Sequence, residues 1–345
     1  MSKLSADMSS VTRIGLDLAK HVFQVHAVDD FGNPIDKRAI RRAKLIDYFA
    51  ALEPCTIGME ACSSAHHWAR QFEAMGHRVM LIPPIYVKPF VKRQKTDAND
   101  AAAICEAMGR PGMRCVPVRS IENQAAKMVH GVRETLSGQR VQLLNALRGH
   151  LAEAGVIAAQ GHQHARKLAE LVEQGCDRIP ACVRDALLPL VARLRDIEAA
   201  LDGIDKRIAV AVKADPDARL LMTIPGVGPV KASAIVATIG SGGIGQFSGA
   251  KNFAAWLGLT PGQHSSGGKQ RIGRITKMGD RYLRKLFVVG AHTVLIHADK
   301  HDDRMRQWAR KLRATKKIKL AAVALANKTA RIVYAVLATQ KPYAA

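Results

Sequence analysis

A chain of 345 residues is longer than one ordinary compact domain and points to two or three. A hydrophobic share of 48% excludes a wholly disordered polymer. The charge, 52 Lys/Arg against 29 Asp/Glu for a net +23, exceeds what solubility needs and implies a polyanionic partner. The excess is uneven: residues 266–341 hold 19 Lys/Arg and 4 Asp/Glu, a net +15, as a nucleic-acid surface in the last quarter of the chain would require. Residues 1–10 are polar and lack the apolar core of a secretory leader. No run reaches the roughly 18 unbroken apolar residues of a membrane span, so no membrane partner is expected. The six cysteines include no C-x-x-C pair, which argues against zinc and dithiol chemistry and fits a reducing cytoplasm.

Residues 12–18, 22–28 and 35–40 read as three successive strands, followed by a helix over 43–52. A strand at 55–60, a helix at 64–75 and a strand at 78–82 come next, closed by Pro83-Pro84. Three strands and then alternation of helix and strand predict an α/β domain with a mixed sheet. A helix follows over 97–109, and 121–214 is helical in pattern. Within it Leu187, Leu190, Leu194, Ile197, Leu201, Ile204 and Ile208 alternate spacings of three and four. That coiled-coil seam suits a helix pair or a dimer contact, and it also fits a helix packed on its own domain. Pro189 is expected in the first turn of that helix. Beyond residue 216 the pattern is mainly helical, with a Gly-rich turn, a Gly/Ser-rich stretch at 241–245, a short helix at 253–257, a loop at 260–273 and basic helices to the end. The expected organisation is therefore 10–118, 119–215 and 216–345.

Asp17 closes the apolar strand Ile14-Gly15-Leu16, and Glu60 closes Ile57-Gly58-Met59. An acid at the end of a buried strand is costly unless it is paired or bound to a cation. Asp97 and Asp100, spaced by three, share one face of a first helical turn, whose N-terminus favours their ionised forms. Four oxygen donors suit Mg²⁺ or Mn²⁺, and a two-metal site can activate a nucleophile and stabilise a leaving oxygen on a phosphodiester. Salt-bridged strand ends and an N-capping role for Asp97 are the competing structural readings.

Two features follow in the C-terminal third. Over 219–240, Ile224-Pro225-Gly226-Val227-Gly228-Pro229 before an apolar helix has the pattern of a helix-hairpin-helix element. There Gly226 and Gly228 permit a tight turn, and the next helix start offers amides to a phosphate. Over 258–274, Ser265-Ser266-Gly267-Gly268-Lys269 is followed by Arg271, Arg274 and Lys277, cations suited to a phosphate. A serine in such a loop is also an ordinary turn residue. Eight more Lys/Arg lie within 304–319, with Trp308 among them as a packing residue.

In order, I-G-L-D-x-x-K, M-E-A, K-T-D-A-x-D-A, I-P-G-V-G and the S-S-G-G loop resemble a bacterial insertion-sequence transposase family, over nearly the full chain. Its N-terminal domain is RuvC-like (RNase H fold) with a DEDD acid set, and its members are recombinases guided by a bridge RNA made from the element. The resemblance implies that Asp17, Glu60, Asp97 and Asp100 are the four catalytic, metal-binding acids and that a nucleophilic serine lies in the loop. Counting from Pro261 selects Ser266, with Ser265 one position away. It further implies Mg²⁺ or Mn²⁺, DNA as substrate, a guide RNA, a homodimer or tetramer, and a bacterial cytoplasm with nucleoid association on DNA. RuvC-type resolvases share the fold and the acids, so a junction resolvase or nuclease using water is the alternative. A non-catalytic architectural protein gives no reason for four acids in a basic chain.

Overall fold

The alternation in the first 120 residues produces a sheet covered on both faces. A computed structural model of the chain describes residues 8–92, 96–157 and 162–344. Lys95 of the K-T-D-A motif therefore lies outside the described residues. The fold divides into two units, Met1–Ile121 and Glu122–Ala345.

In the first unit β1 (Arg13–Asp17), β2 (Val22–Val28) and β3 (Pro34–Arg41) form an antiparallel meander. After α1 (Leu45–Ala50), β4 (Thr56–Glu60) pairs parallel with β1. Beyond α2 (Ala65–Ala74), β5 (Arg78–Ile82) pairs parallel with β4. The order is β3-β2-β1-β4-β5, the expected mixed sheet. β1 and β4 sit at its centre, and their middle three residues are fully buried, as strands covered on both faces must be. One face packs Phe23, Phe49, Trp68 and Phe72 against α1 and α2. After α3 (Pro84–Val87), α4 (Asp97–Met108) covers the other face with Ile104 and Met108.

α4 lies unusually close to the sheet because β1 and β4 each present a glycine to it. A Cβ on Gly15 would stand 2.1 Å from the Ala101 carbonyl oxygen, and one on Gly58 would stand 2.8 Å from Met108 Sδ. At Gly15 the obstacle is backbone, so a side chain there would force α4 away; at Gly58 it is the flexible Met108 side chain, which could yield, so Gly15 above all sets the depth at which α4 docks.

The second unit is helical apart from one hairpin. Its long helices are α5 (Ile121–Glu153), α6 (His162–Gln174) and α7 (Ala181–Ala214). Then come α8 (Pro216–Leu221), α9 (Pro229–Ile239), α10 (Ala250–Trp256), the antiparallel pair β6 (Pro261–Gln263) and β7 (Ile272–Ile275), α11 (Arg281–Ile296), α12 (Arg304–Thr315) and α13 (Ile318–Thr339).

The seam on α7 is covered by its own chain. Leu144, Leu147 and Leu151 of α5 share a core with Leu187, Val191 and Leu194, while Arg133 of α5 bonds Asp205 through both carboxylate oxygens, at 2.6 and 3.1 Å. Later α5 residues meet earlier α7 residues, so the two helices run antiparallel. Ile204 and Ile208 are buried in the core formed with α8 to α13. Of the expected partners for the seam, these contacts are those of an intramolecular helix pair. Pro189 does not begin α7: the helix starts at Ala181, directly after Pro180, and carries Pro189 in its interior. An interior proline costs about 3 kcal/mol of helix stability, offset here by burial of Leu187 and Val191 beside it. Among the described helices, α13 is long and apolar enough to cross a membrane by length and composition, with half of that stretch buried within the protein.

Candidate functional site

The sheet brings the four acids to one edge by different routes. Asp17 and Glu60 end β1 and β4, each following the paired residues Leu16 and Met59. Side chains alternate along a strand, so Asp17 shares the face of Gly15, and Glu60 that of Gly58, the face α4 covers. Asp97 and Asp100 occupy the first turn of α4. The cap of that helix is Thr96, whose Oγ1 accepts from the Asn99 amide at 3.2 Å, so the carboxylate of Asp97 is not used as a cap.

Asp17, Asp97 and Asp100 each offer an oxygen within 4.8 Å of the others. Glu60 is not in this trio, although its charge acts on Asp17. Burial, and then the charges of Asp100, Asp97 and Glu60, push the Asp17 carboxyl up to about 6, against a hydrogen bond from the Leu18 backbone that lowers it. The same field reaches Cys62, whose thiol is raised by burial and then by Glu60 and Asp17. Among the described residues no Lys or Arg forms an ion pair with Asp17, Asp97 or Asp100. Clustered like charges with an all-oxygen donor set and no described cation beside them fit a hard divalent ion.

The serine loop is a β-hairpin. Ser266 and Lys269 bridge its tip, and the Lys269 amide donates to the Ser266 carbonyl at 3.1 Å. Gly267 and Gly268 between them have φ of 56° and 76°, the two positive values of a type I′ turn, which side-chain-bearing residues rarely adopt. The neighbouring serines are used differently. Ser265 Oγ accepts from Gln263 Nε2 at 2.9 Å and from the Arg271 amide at 3.3 Å, and so ties the hairpin together. Ser266 is exposed, and among the described residues its hydroxyl has no hydrogen-bond partner. Lys269, Arg271, Arg274 and Lys277 are exposed around it, and none pairs with a described carboxylate. By contrast Arg306, Arg310 and Arg313 of α12 are ion-paired to Asp303, Asp302 and Asp299. Part of the C-terminal charge is thus structural.

Gly226, with φ of 79°, lies in the turn between α8 and α9, and Gly228 immediately precedes α9. The first amides of α9 have no carbonyl within the helix to bond. Lys231, one turn into α9, is buried; its Nζ lies 3.4 Å from the Gly226 carbonyl oxygen and 4.2 Å from the Phe287 ring centroid. The positioning roles of Gly15 and Gly58 escaped the sequence reading. Their signal was present as a glycine at the centre of each of two buried strands.

Comparison with known proteins places the chain among insertion-sequence transposases. Residues 14–156 match a family model described as "Transposase", the DEDD type of IS110, and residues 218–307 match one described as "Transposase IS116/IS110/IS902 family". A "Probable family 20 transposase" of Pseudomonas aeruginosa is 44% identical, over 97% of this chain and 99% of its own length. The "Transposase for insertion sequence element IS1111A" of Coxiella burnetii is 34% identical, over 99% and 93%. The "Transposase for insertion sequence element IS1328" of Yersinia enterocolitica is also 34% identical, over 95% and 97%. The chain belongs to the IS116/IS110/IS902 family of transposases.

Proposed function

We propose that this transposase is a site-specific, RNA-guided DNA recombinase that cuts and rejoins strands through a phosphoserine intermediate. Its first unit would be a RuvC-like metal-binding domain over 10–118. A helical region over 119–215 and a C-terminal transposase domain over 216–345 would complete it. The observation that carries the reading is the gathering of Asp17, Asp97 and Asp100 from a strand end and a helix start, with the charge of Glu60 acting on Asp17.

Asp17, Asp97, Asp100 and Glu60 would hold Mg²⁺ or Mn²⁺. When bound, such an ion neutralises the clustered charge and polarises a phosphodiester. Ser266 Oγ forms a new ester bond to phosphorus while one P–O bond of the strand breaks. The hydroxyl proton ends on the departing oxygen. The phosphoserine conserves the bond energy, so a second strand's hydroxyl can reverse the step and release the serine. Both serines are exposed, and Ser266 is preferred to Ser265 because its hydroxyl has no hydrogen-bond partner among the described residues, whereas that of Ser265 holds the hairpin. Lys269, Arg271, Arg274 and Lys277 steady the phosphate, and the turn at Gly226 and Gly228 holds DNA backbone as a helix-hairpin-helix does. A guide RNA selects target and donor, the assembly is a dimer or tetramer, and the protein works in the bacterial cytoplasm. These last readings rest on the family resemblance.

The test is a denaturant-stable DNA–protein adduct, formed with Mg²⁺ and the element's flanking RNA and mapped by mass spectrometry. An adduct on Ser266 is expected. Metal-dependent hydrolysis that survives Ser266→Ala would instead make the protein a water-using nuclease.

A further inference from the structure

Helix α13 is apolar on two faces, and only one is fully buried in the core. Its buried face, including Ala322, Leu325, Ala326 and Val333, belongs to the core of the second unit. The other face carries Leu320, Val323, Ala324 and Ala335 at helical spacing, with Leu320 58% exposed, beside Ile332, which packs partly on the core, and Asn327, whose Nδ2 donates to the Leu259 carbonyl at 3.1 Å. A helix apolar all round normally has both faces covered. Here the less buried face forms the floor of an open groove of about 960 Å³, walled by Trp308 and by Pro261 and Ile275 of the hairpin.

The charge around that floor has one sign. Arg274, Lys319, Lys328 and Arg331 line the groove, and no Asp or Glu does. An apolar floor between cations selects an anion that also has broad apolar surfaces. A protein helix would need a row of acids to match this rim, and a duplex keeps its base faces stacked inside. An unpaired nucleic-acid strand meets both demands, with phosphates on the cations and bases on the floor. Arg274 and Ile275 belong to β7, a strand of the hairpin whose tip presents Ser266. A strand seated in the groove is therefore led along the element that carries the nucleophile.

We infer that the groove between α13 and the hairpin seats unpaired DNA flanking the scissile phosphate, with bases against α13 and phosphates on Arg274, Lys319, Lys328 and Arg331. The inference rests on the Ser266 reading for the identity of the strand as DNA and for its place beside the scissile phosphate, and not for the seating of an unpaired strand in the groove. It makes locally melted DNA, rather than intact duplex, the form the second unit holds.

The experiment measures anisotropy of a short labelled oligothymidylate, the matching duplex and an oligouridylate on the full chain. Ala324→Glu charges the floor, and Ala324→Leu fills it while keeping it apolar. Each is checked by a circular-dichroism melt, and the second serves if the first does not fold. Either should weaken oligothymidylate binding about tenfold, the loss expected for one or two bases that no longer stack, and leave duplex binding within about twofold. Lys319→Ala with Arg331→Ala should lower the salt slope for the single strand by about 1 to 1.5. Three results would overturn the groove: floor variants that bind the single strand as wild type does, oligouridylate bound through the same floor at least about tenfold more tightly than oligothymidylate, or floor variants that change only the assembly mass by light scattering. Ser266→Ala separates the two readings. It should lose the adduct and keep the oligothymidylate affinity. A groove that discriminates while no serine adduct ever forms sinks the serine alone, and an adduct on Ser266 with an indifferent floor sinks the groove alone.

Discussion

The two units place their chemistry in opposite ways. In the first, 17 Lys/Arg face 12 Asp/Glu, a net +5, and the acids that matter are packed against a sheet until they repel one another. In the second, 35 Lys/Arg face 17 Asp/Glu, a net +18, and the proposed nucleophile, Ser266, stands exposed beside the two-residue turn Gly267-Gly268. A rigid sheet can hold like charges together because its backbone bonds and buried strands oppose the repulsion, leaving a site that a cation completes. A hairpin tip cannot concentrate charge in that way, but it can present an unhindered hydroxyl among cations. Precision of position in one unit is thus set against access in the other.

The sharpest way to break this comparison is to remove the hydroxyl. Ser266→Ala should lower strand cleavage by roughly four orders of magnitude or more, as loss of a covalent nucleophile does, with the adduct on a denaturing gel as readout. Ser265→Ala should loosen the hairpin and reduce the rate far less. Equal losses would erase the distinction between the two serines. Next in size, Asp17→Asn should reduce cleavage by roughly two to three orders of magnitude. It should also raise the melting temperature of metal-free protein, because it removes a repelled charge. Mg²⁺ should then raise the melting temperature of wild type and not that of the variant. A variant no more stable than wild type without metal would refute the account of repulsion.

Gly15→Ala probes the sheet as a positioning device. The new methyl would stand 2.1 Å from the Ala101 carbonyl, so α4 must move away. A loss of about 1–3 kcal/mol is expected in urea unfolding, together with weaker Mg²⁺ stabilisation as Asp97 and Asp100 retreat from Asp17. Unchanged metal response in a destabilised variant would show that the depth of α4 does not set the acid cluster.

The smallest effect concerns the buried cation of the second unit. Burial pushes the Lys231 amine down to about 7. The unfolded chain keeps that proton up to about pH 10, so unfolding takes up a proton between these values and stability rises with pH across that window. The penalty is complete below about 7. Lys231→Met should flatten that rise and raise the melting temperature by a few degrees at pH 6, measured by melts at pH 6, 7.5 and 9. A wild-type curve with no slope over this range would contradict the burial.

Much of this molecule is legible in its residues because local rules decide it. Short apolar runs closed by an acid or by Pro83-Pro84 marked β1, β4 and β5. The spacing of Asp97 and Asp100 marked the first turn of α4, although its cap is Thr96 and not Asp97. The acids at the ends of two buried strands announced a shared edge, and Gly267-Gly268 announced a turn. What no local rule reaches depends on which surfaces meet. The closeness of α4 to Gly15 and Gly58, the separate duties of Ser265 and Ser266, the antiparallel cover over the α7 seam, Pro189 inside its helix and the less buried face of α13 were decided only by tertiary structure. Each is set by packing between residues distant in the chain, where a contact of a few ångströms outweighs the preference of any single residue.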